Sequence, residues 1–311
     1  MNFAMRALIA ASVKRTPDLI FLDVSLEGSD AIEAIRGLGE RRFRGAVQLI
    51  SGRDMQVLEN IQRIGERHGL KLDEVLRRRS LELFYQPKID LRTKRLVGVE
   101  ALVRERHPDH GIVSPGAFLA GAGEASLWAL TEQVVAMAFR DWPDFAAAGF
   151  PVKMAVNMPV SSLTNLALPA LIREHRPRSA AWPGLIVEVT EHEVVRDVAL
   201  AHEIATQLCL YDVALAIDDF GTGYSTLARL RQLPFAELKL DGSFVVNCAS
   251  DPTNSRLCQT VIDLAHRFGC LGVAECVENA ADFEALHRMG CDIGQGFYFA
   301  PRCPRLASWL S

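Results

Sequence analysis

Seven short apolar runs, each carrying or followed by a polar residue, recur along the chain with longer amphipathic stretches between them. They are Val97 to Arg104, Val152 to Asn157, Leu185 to Glu191, Val213 to Ile217 with Asp218 and Asp219 behind it, Glu237 to Asp241, Gly272 to Glu275, and Gly294 to Phe299. Apolar runs of this length bounded by turn residues read as buried strands. The stretches Thr131 to Arg140, Val195 to Tyr211 and Asn254 to Phe268 have helical periods. This alternation predicts an α/β chain of repeated βα units, and about 230 residues from Leu81 onward suit one TIM-type (β/α)8 barrel, typically ~250 residues long.

A barrel of this kind builds its site from the C-terminal ends of the strands, so the polar residues of the runs converge on one mouth. An Asp-Asp pair before glycine, as in Asp218-Asp219-Phe220-Gly221, is by itself most often a turn or a cap. Its company alters that reading. Glu100, Glu188, Asp218, Asp219 and Glu275 brought together would repel one another unless cations compensate, which implies bound metal. The set adds the Asn157 amide and has no His or Cys, so magnesium or manganese fits better than zinc. Lys239 lies within an apolar strand, where an unpaired ammonium is costly; its simplest structural role is an ion pair with Asp241.

The strings Glu100-Ala101-Leu102-Val103-Arg104, Val156-Asn157, Glu188-Val189-Thr190-Glu191, Asp218 to Gly223, Lys239-Leu240-Asp241, Ala274-Glu275 and Gln295-Gly296 occur in an order that resembles EAL domains, from about Tyr85-Gln86-Pro87 to Phe299-Ala300-Pro301. EAL domains are cyclic di-GMP phosphodiesterases of bacteria, and the resemblance implies hydrolysis of cyclic di-GMP to linear pGpG by water activated between two cations, Mg2+ or Mn2+. By that resemblance Glu100, Asn157, Glu188 and Asp218 hold the first metal, and Asp218 bridges to a second that Asp219 also holds. Glu275 completes the metal shell or accepts a proton. Lys239 orients the water, and Gln295 touches the water or the substrate. Glu278 assists at the same mouth, and Glu191 pins the loop that begins at Asp219. Arg104 is the expected phosphate clamp, since its planar fork delivers paired donors. Gln86, Leu102, Asp241 and Pro301 match positions near the guanine and backbone of the substrate. Homodimerisation is expected from the family only.

Three features depart from the family pattern. Glu105 stands where tryptophan is usual, which places a charge beside Arg104. Cys276 stands where glycine is common and is expected to pack as a small buried apolar residue. The third departure is at the N-terminus. Asp18 to Val24 and Val47 to Gly52 read as strands, with a helix at about Asp30 to Leu38 between them, and they resemble the middle of a flavodoxin-like receiver domain. Asp23 would match its phosphoacceptor and Ser51 its switch hydroxyl. Met1 to Pro17 contains no acid and Gly69 to Asp73 makes no convincing last strand, so Asp23 is expected not to be phosphorylated efficiently. In the doubly wound order, loss of the first strands exposes an edge; the remnant then packs on another surface, or the chain is shortened at its start. The expected organisation is a partial receiver over 1–72, a linker helix over 73–80 and an EAL barrel over 81–311, with a regulatory protein partner engaged through the first segment.

The 311 residues, 49% hydrophobic, are enough for one large core and a small extra unit. No run approaches a membrane span, and seven cysteines without a Cys-x-x-Cys pair suit a reducing cytoplasm. A net charge of -4 offers no general attraction to a polynucleotide. Two other classes are compatible with these features: a cyclic di-GMP receptor that signals by binding alone, and a phosphorelay response regulator with the barrel as output. The receptor predicts missing metal ligands, and none is missing; the response regulator requires labelling of Asp23 by a small phosphodonor.

Overall fold

The structure, a computed structural model, describes residues 19–23, 46–50, 71–108, 111–119, 121–165, 168–194, 198–221 and 233–303. The chain divides into two compact units, residues 1–82 with 103–126, and residues 83–102 with 127–311. Strands β3 (Leu81–Asp90) and β4 (Leu96–His107) run through both divisions.

In the first unit, β1 (Leu19–Asp23) and β2 (Ala46–Ile50) pair in parallel, with Asp23 opposite Ile50. Both strands match the expected ones, while Ser51 and the expected helix at Asp30 to Leu38 lie outside the described residues. Helix α1 (Leu72–Arg78) overlaps residues 73–80, beginning one residue earlier and ending two sooner. Asp73 and Glu74 sit in its first turn and Arg77 and Arg78 in its last, the arrangement that the helix dipole favours. Arg79 in a left-handed conformation stops it. The far end of β4 pairs antiparallel with β5 (Gly111–Val113), and α2 (Gly116–Leu119) follows.

The second unit is built on a closed barrel of eight strands. Around it stand β3, β11 (Ile293–Gly294), β10 (Leu271–Ala274), β9 (Phe235–Leu240), β8 (Val213–Phe220), β7 (Leu185–Thr190), β6 (Lys153–Asn157) and β4, and β3 closes the ring on β4. Neighbours from β4 through β11 are parallel, and β3 is antiparallel to β11. The last expected strand is shorter than predicted: only Ile293 and Gly294 pair, and Gln295 to Phe299 turn away. A cause lies at Gly296, whose φ is +159° and where a Cβ would collide with the Val277 backbone. That close approach lets Val277 N donate to Gln295 O at 3.0 Å and Tyr298 N to Val277 O at 3.0 Å.

Side chains alternate across each strand, so residues two apart share a face. Ala155, Ile186 and Ala216 pack together as a small apolar cluster. Two residues further along the same strands come Asn157, Glu188 and Asp218. The intervening residues Val156, Val187 and Ile217 are fully buried on the other face. The helices of this unit include α3 (Glu124–Ala147), α4 (Val160–Asn165), α5 (Leu168–His175), α7 (Val198–Cys209), α9 (Pro252–Phe268) and α10 (Ala280–Arg288). Helix α9 shows why they dock: Cys258, Val261, Ile262 and Ala265 make one buried stripe at helical spacing. Asp251 caps its start and Gly269 its end.

Candidate metal-dependent active site

Period-two alternation brings Glu100, Asn157, Glu188, Asp218 and Lys239 to one end of the barrel from β4, β6, β7, β8 and β9, and Glu275 follows β10 directly. Lys239 is wholly buried at the centre of the acids. Its Nζ lies 2.6 Å from Glu275, 2.7 Å from Glu188, 3.0 Å from Asp218 and 3.9 Å from Glu100. The simplest ion pair, with Asp241, is not what forms: the Asp241 carboxylate accepts from Ser243 N at 2.9 Å and caps α8 (Gly242–Val245). Burial alone would lower the lysine's pKa, but the surrounding carboxylates raise it well above the ordinary value, so it stays an ammonium.

Glu100 accepts from Asn157 Nδ2 at 2.7 Å and from Gln295 Nε2. Burial pushes its carboxyl up, yet Lys239 and these hydrogen bonds prevail and hold it well below the usual range. Glu188 behaves oppositely, for burial raises it to about 7 in spite of Lys239 and Lys88. Burial likewise raises Glu275, with Asp218 and Glu100 adding to the rise and Lys239 opposing it.

Asp218 and Asp219 would point to opposite faces of a regular strand. An irregularity in the strand removes that obstacle. The register of β8 against β9 shifts between Ile217 and Phe220, and Asp219 takes φ +53°, so the irregularity turns its side chain toward the same mouth. Asp218, Asp219 and Glu275 thereby offer oxygens within 4.8 Å of one another. Burial, followed by the Asp218 and Asp241 charges, raises Asp219 to about 6. Glu191, at the start of α6 (Glu191–Val194), accepts from Gly221 N at 2.9 Å and so holds the chain just past the Asp pair.

The acids open into a cavity whose wall includes Gln86, Leu102, Glu278 and Gln295. Cys276, Phe297 and Arg302 line it as well, and none of the three was a predicted contact. Arg302 donates from Nε to Gln86 Oε1 at 3.0 Å and lies over the Phe297 ring at 5.9 Å. Its only sequence signal was its place next to Pro301, which is exposed. Cys276 does not pack as a buried residue. It is exposed, with φ +52°. Its side chain occupies the space over Gly242, where a Cβ would stand 2.6 Å from Sγ. Although the residue as a whole is exposed, desolvation of its sulfur where it lines the cavity, followed by the Glu275 charge, pushes the thiol up to about 12, which disfavours the nucleophilic thiolate.

Arg104 lies further along β4 in the first unit, buried, with Nη1 donating to Val103 O at 2.6 Å. Glu105 faces away from that role: its Oε1 accepts from Ser80 Oγ at 3.2 Å and stands 3.9 Å from Arg78 Nη1.

The donors suit a hard divalent cation. They are oxygens only, their acids outnumber the one central ammonium, and Gln295 Oε1 is buried with no hydrogen-bond partner. Glu100, Asn157, Glu188, Asp218, Asp219 and Glu275 are the residues that could hold it.

Comparison with known proteins agrees with this arrangement. The EAL domain family matches residues 70–302. The Pseudomonas aeruginosa protein named cyclic di-GMP phosphodiesterase PA2567 is 34% identical over 280 residues, covering 88% of this chain and 46% of that protein. The solved complex of the PaMucR phosphodiesterase with c-di-GMP is 36% identical, covers 77% of this chain and 98% of that one, and superposes with a TM-score of 0.70. Klebsiella pneumoniae BlrP1, solved with manganese and cyclic di-GMP, is 26% identical over 72% of this chain and 56% of its own, with a TM-score of 0.62. The chain spans less than half the length of the first curated relatives it matches. On its strands, its motifs and this match, the chain belongs to the EAL domain family.

Proposed function

We propose that the protein hydrolyses cyclic di-GMP to linear pGpG with the help of two divalent cations, magnesium or manganese. The observation that carries this reading is the convergence of Asp218, Asp219 and Glu275 within 4.8 Å, with Glu100, Asn157 and Glu188 alongside on neighbouring strands. Relatives named for this activity, and a relative solved with manganese and cyclic di-GMP, support the substrate and the metal.

Bound cations would supply positive charge against the phosphoryl oxygens and acidify a water. The chain's own residues do the rest. Glu100, Asn157, Glu188 and Asp218 would hold one ion, and Asp218 with Asp219 would hold the other. Glu275, its carboxyl raised by burial, completes the shell or takes a proton from water. Lys239 contributes a fixed ammonium that orients the nucleophile and offsets negative charge. Gln86, Leu102 and Gln295 form a wall for the dinucleotide, Arg104 clamps a phosphate, and Asp241, Glu278 and Pro301 contribute at the rim. The homodimer and a regulatory partner acting through residues 1–72 belong to the same reading and rest on the family resemblance alone. Seven free thiols suit a reducing compartment, and the reading puts the protein in the cytoplasm. No described helix is long and apolar enough to cross a membrane.

The test is incubation with cyclic di-GMP and Mg2+ or Mn2+, beside a chelated control, with products resolved by chromatography. Metal-dependent pGpG is expected. Tight binding without product would replace the enzyme by a receptor.

A further inference from the structure

A second buried lysine lies beneath the site and has no part in the chemistry above. Lys88, on β3, is 1% exposed. It shares the inward face of its strand with Gln86, two residues before it. Its Nζ reaches Glu188 Oε1 at 3.0 Å and Glu237 Oε2 at 2.5 Å. Glu237 stands on β9 two residues before Lys239, and the strand register puts Glu188, Ala216 and Glu237 side by side across β7, β8 and β9.

Glu188 is therefore held at both oxygens, Oε1 by Lys88 and Oε2 by Lys239 at 2.7 Å. The terminal torsion of a glutamate is broad when free, so one donor would leave the carboxylate able to swing. Two donors fix its plane. Each carboxylate oxygen offers two lone pairs, so an ammonium on each leaves acceptor capacity for a metal. Stability alone is a poor reason to bury Lys88 and Glu237, because well-packed apolar residues in place of a buried ion pair are often neutral or stabilising. The third partner, Glu188, supplies the reason.

We infer that Lys88, with Glu237 as its counter-charge, is a positioning residue that fixes the Glu188 carboxylate from below for binding a divalent cation. The inference rests on the metal reading proposed above. Removing Lys88 and Glu237 together takes away one charge of each sign, so the net charge around the acids is unchanged and the effect isolates orientation.

The experiment is calorimetric titration of Mn2+ into the whole protein and K88M/E237M, with a thermal melt of each. The double variant should keep a melting temperature close to the parent's and bind Mn2+ about 10- to 100-fold more weakly, the usual effect of losing a partner of a metal ligand. A folded K88M/E237M that binds Mn2+ within about twofold of the parent overturns the inference, and the pair is then structural only. Should K88M/E237M fail to fold, K88Q/E237Q is judged by the same criterion. A parent that binds no Mn2+ removes the metal reading itself, a distinguishable failure because it appears before any substitution is made.

Discussion

At residue scale the chain shows what its departures from the family pattern do. Cys276 sits in a left-handed conformation that favours glycine and presses against Gly242, which starts α8. Replacing it by glycine should relieve about 1 kcal/mol of backbone strain. C276G is therefore expected to melt slightly higher, by about 1–2 °C for a chain of this size, and thermal denaturation checks it. An unchanged or lower melting temperature would mean that the thiol's packing over Gly242 outweighs the strain. The sequence raised Cys276 and Glu105 as suspects but not what they touch, because partners far along the chain are set by tertiary packing. Lys88 and Arg302 show the same gap. Nothing local distinguishes a lysine buried against acids 100 and 149 residues away from one on the surface.

At the scale of elements the strand pattern from β6 to β10 was legible because those strands are short and largely apolar, and lead into polar residues. Runs ending in Asn157 and Glu275 could be read with small shifts of boundary. The Asp pair was legible as a site, but the device that makes both carboxylates converge, a register shift with a positive φ at Asp219, was not, since it depends on how β8 meets β9. β3 does not read as an apolar run, for it carries Glu82, Gln86, Lys88 and Asp90 among its apolar residues. Among the described residues, the bond from Gly221 N to Glu191 helps to hold the chain after the Asp pair. E191A should loosen this point and lower the hydrolysis rate by about tenfold or more, in the range seen for residues that orient metal ligands, whereas E191Q retains an acceptor oxygen and should lie nearer the parent. Parallel rate measurements on the two variants decide it, and equal rates for E191A and the parent would remove the positioning role.

At the scale of the whole molecule the barrel concentrates acids that water would otherwise separate, and one central lysine does not balance them. Burial and mutual repulsion hold Glu188 at about 7 and Asp219 at about 6, with Glu275 also raised. In the metal-free protein these groups carry protons at mildly acidic pH and shed them as pH rises. A cation binds the anionic form, so it must displace those protons, and its affinity must climb across the same window. A Mn2+ titration of the whole protein at about pH 6 and about pH 8, bracketing those values, decides whether the strand-end acids bind cations. Two ions per chain, tighter binding at the higher pH and proton release on binding are expected. Absence of binding, or an affinity indifferent to pH, would contradict the claim that the strand-end acids are a cation site.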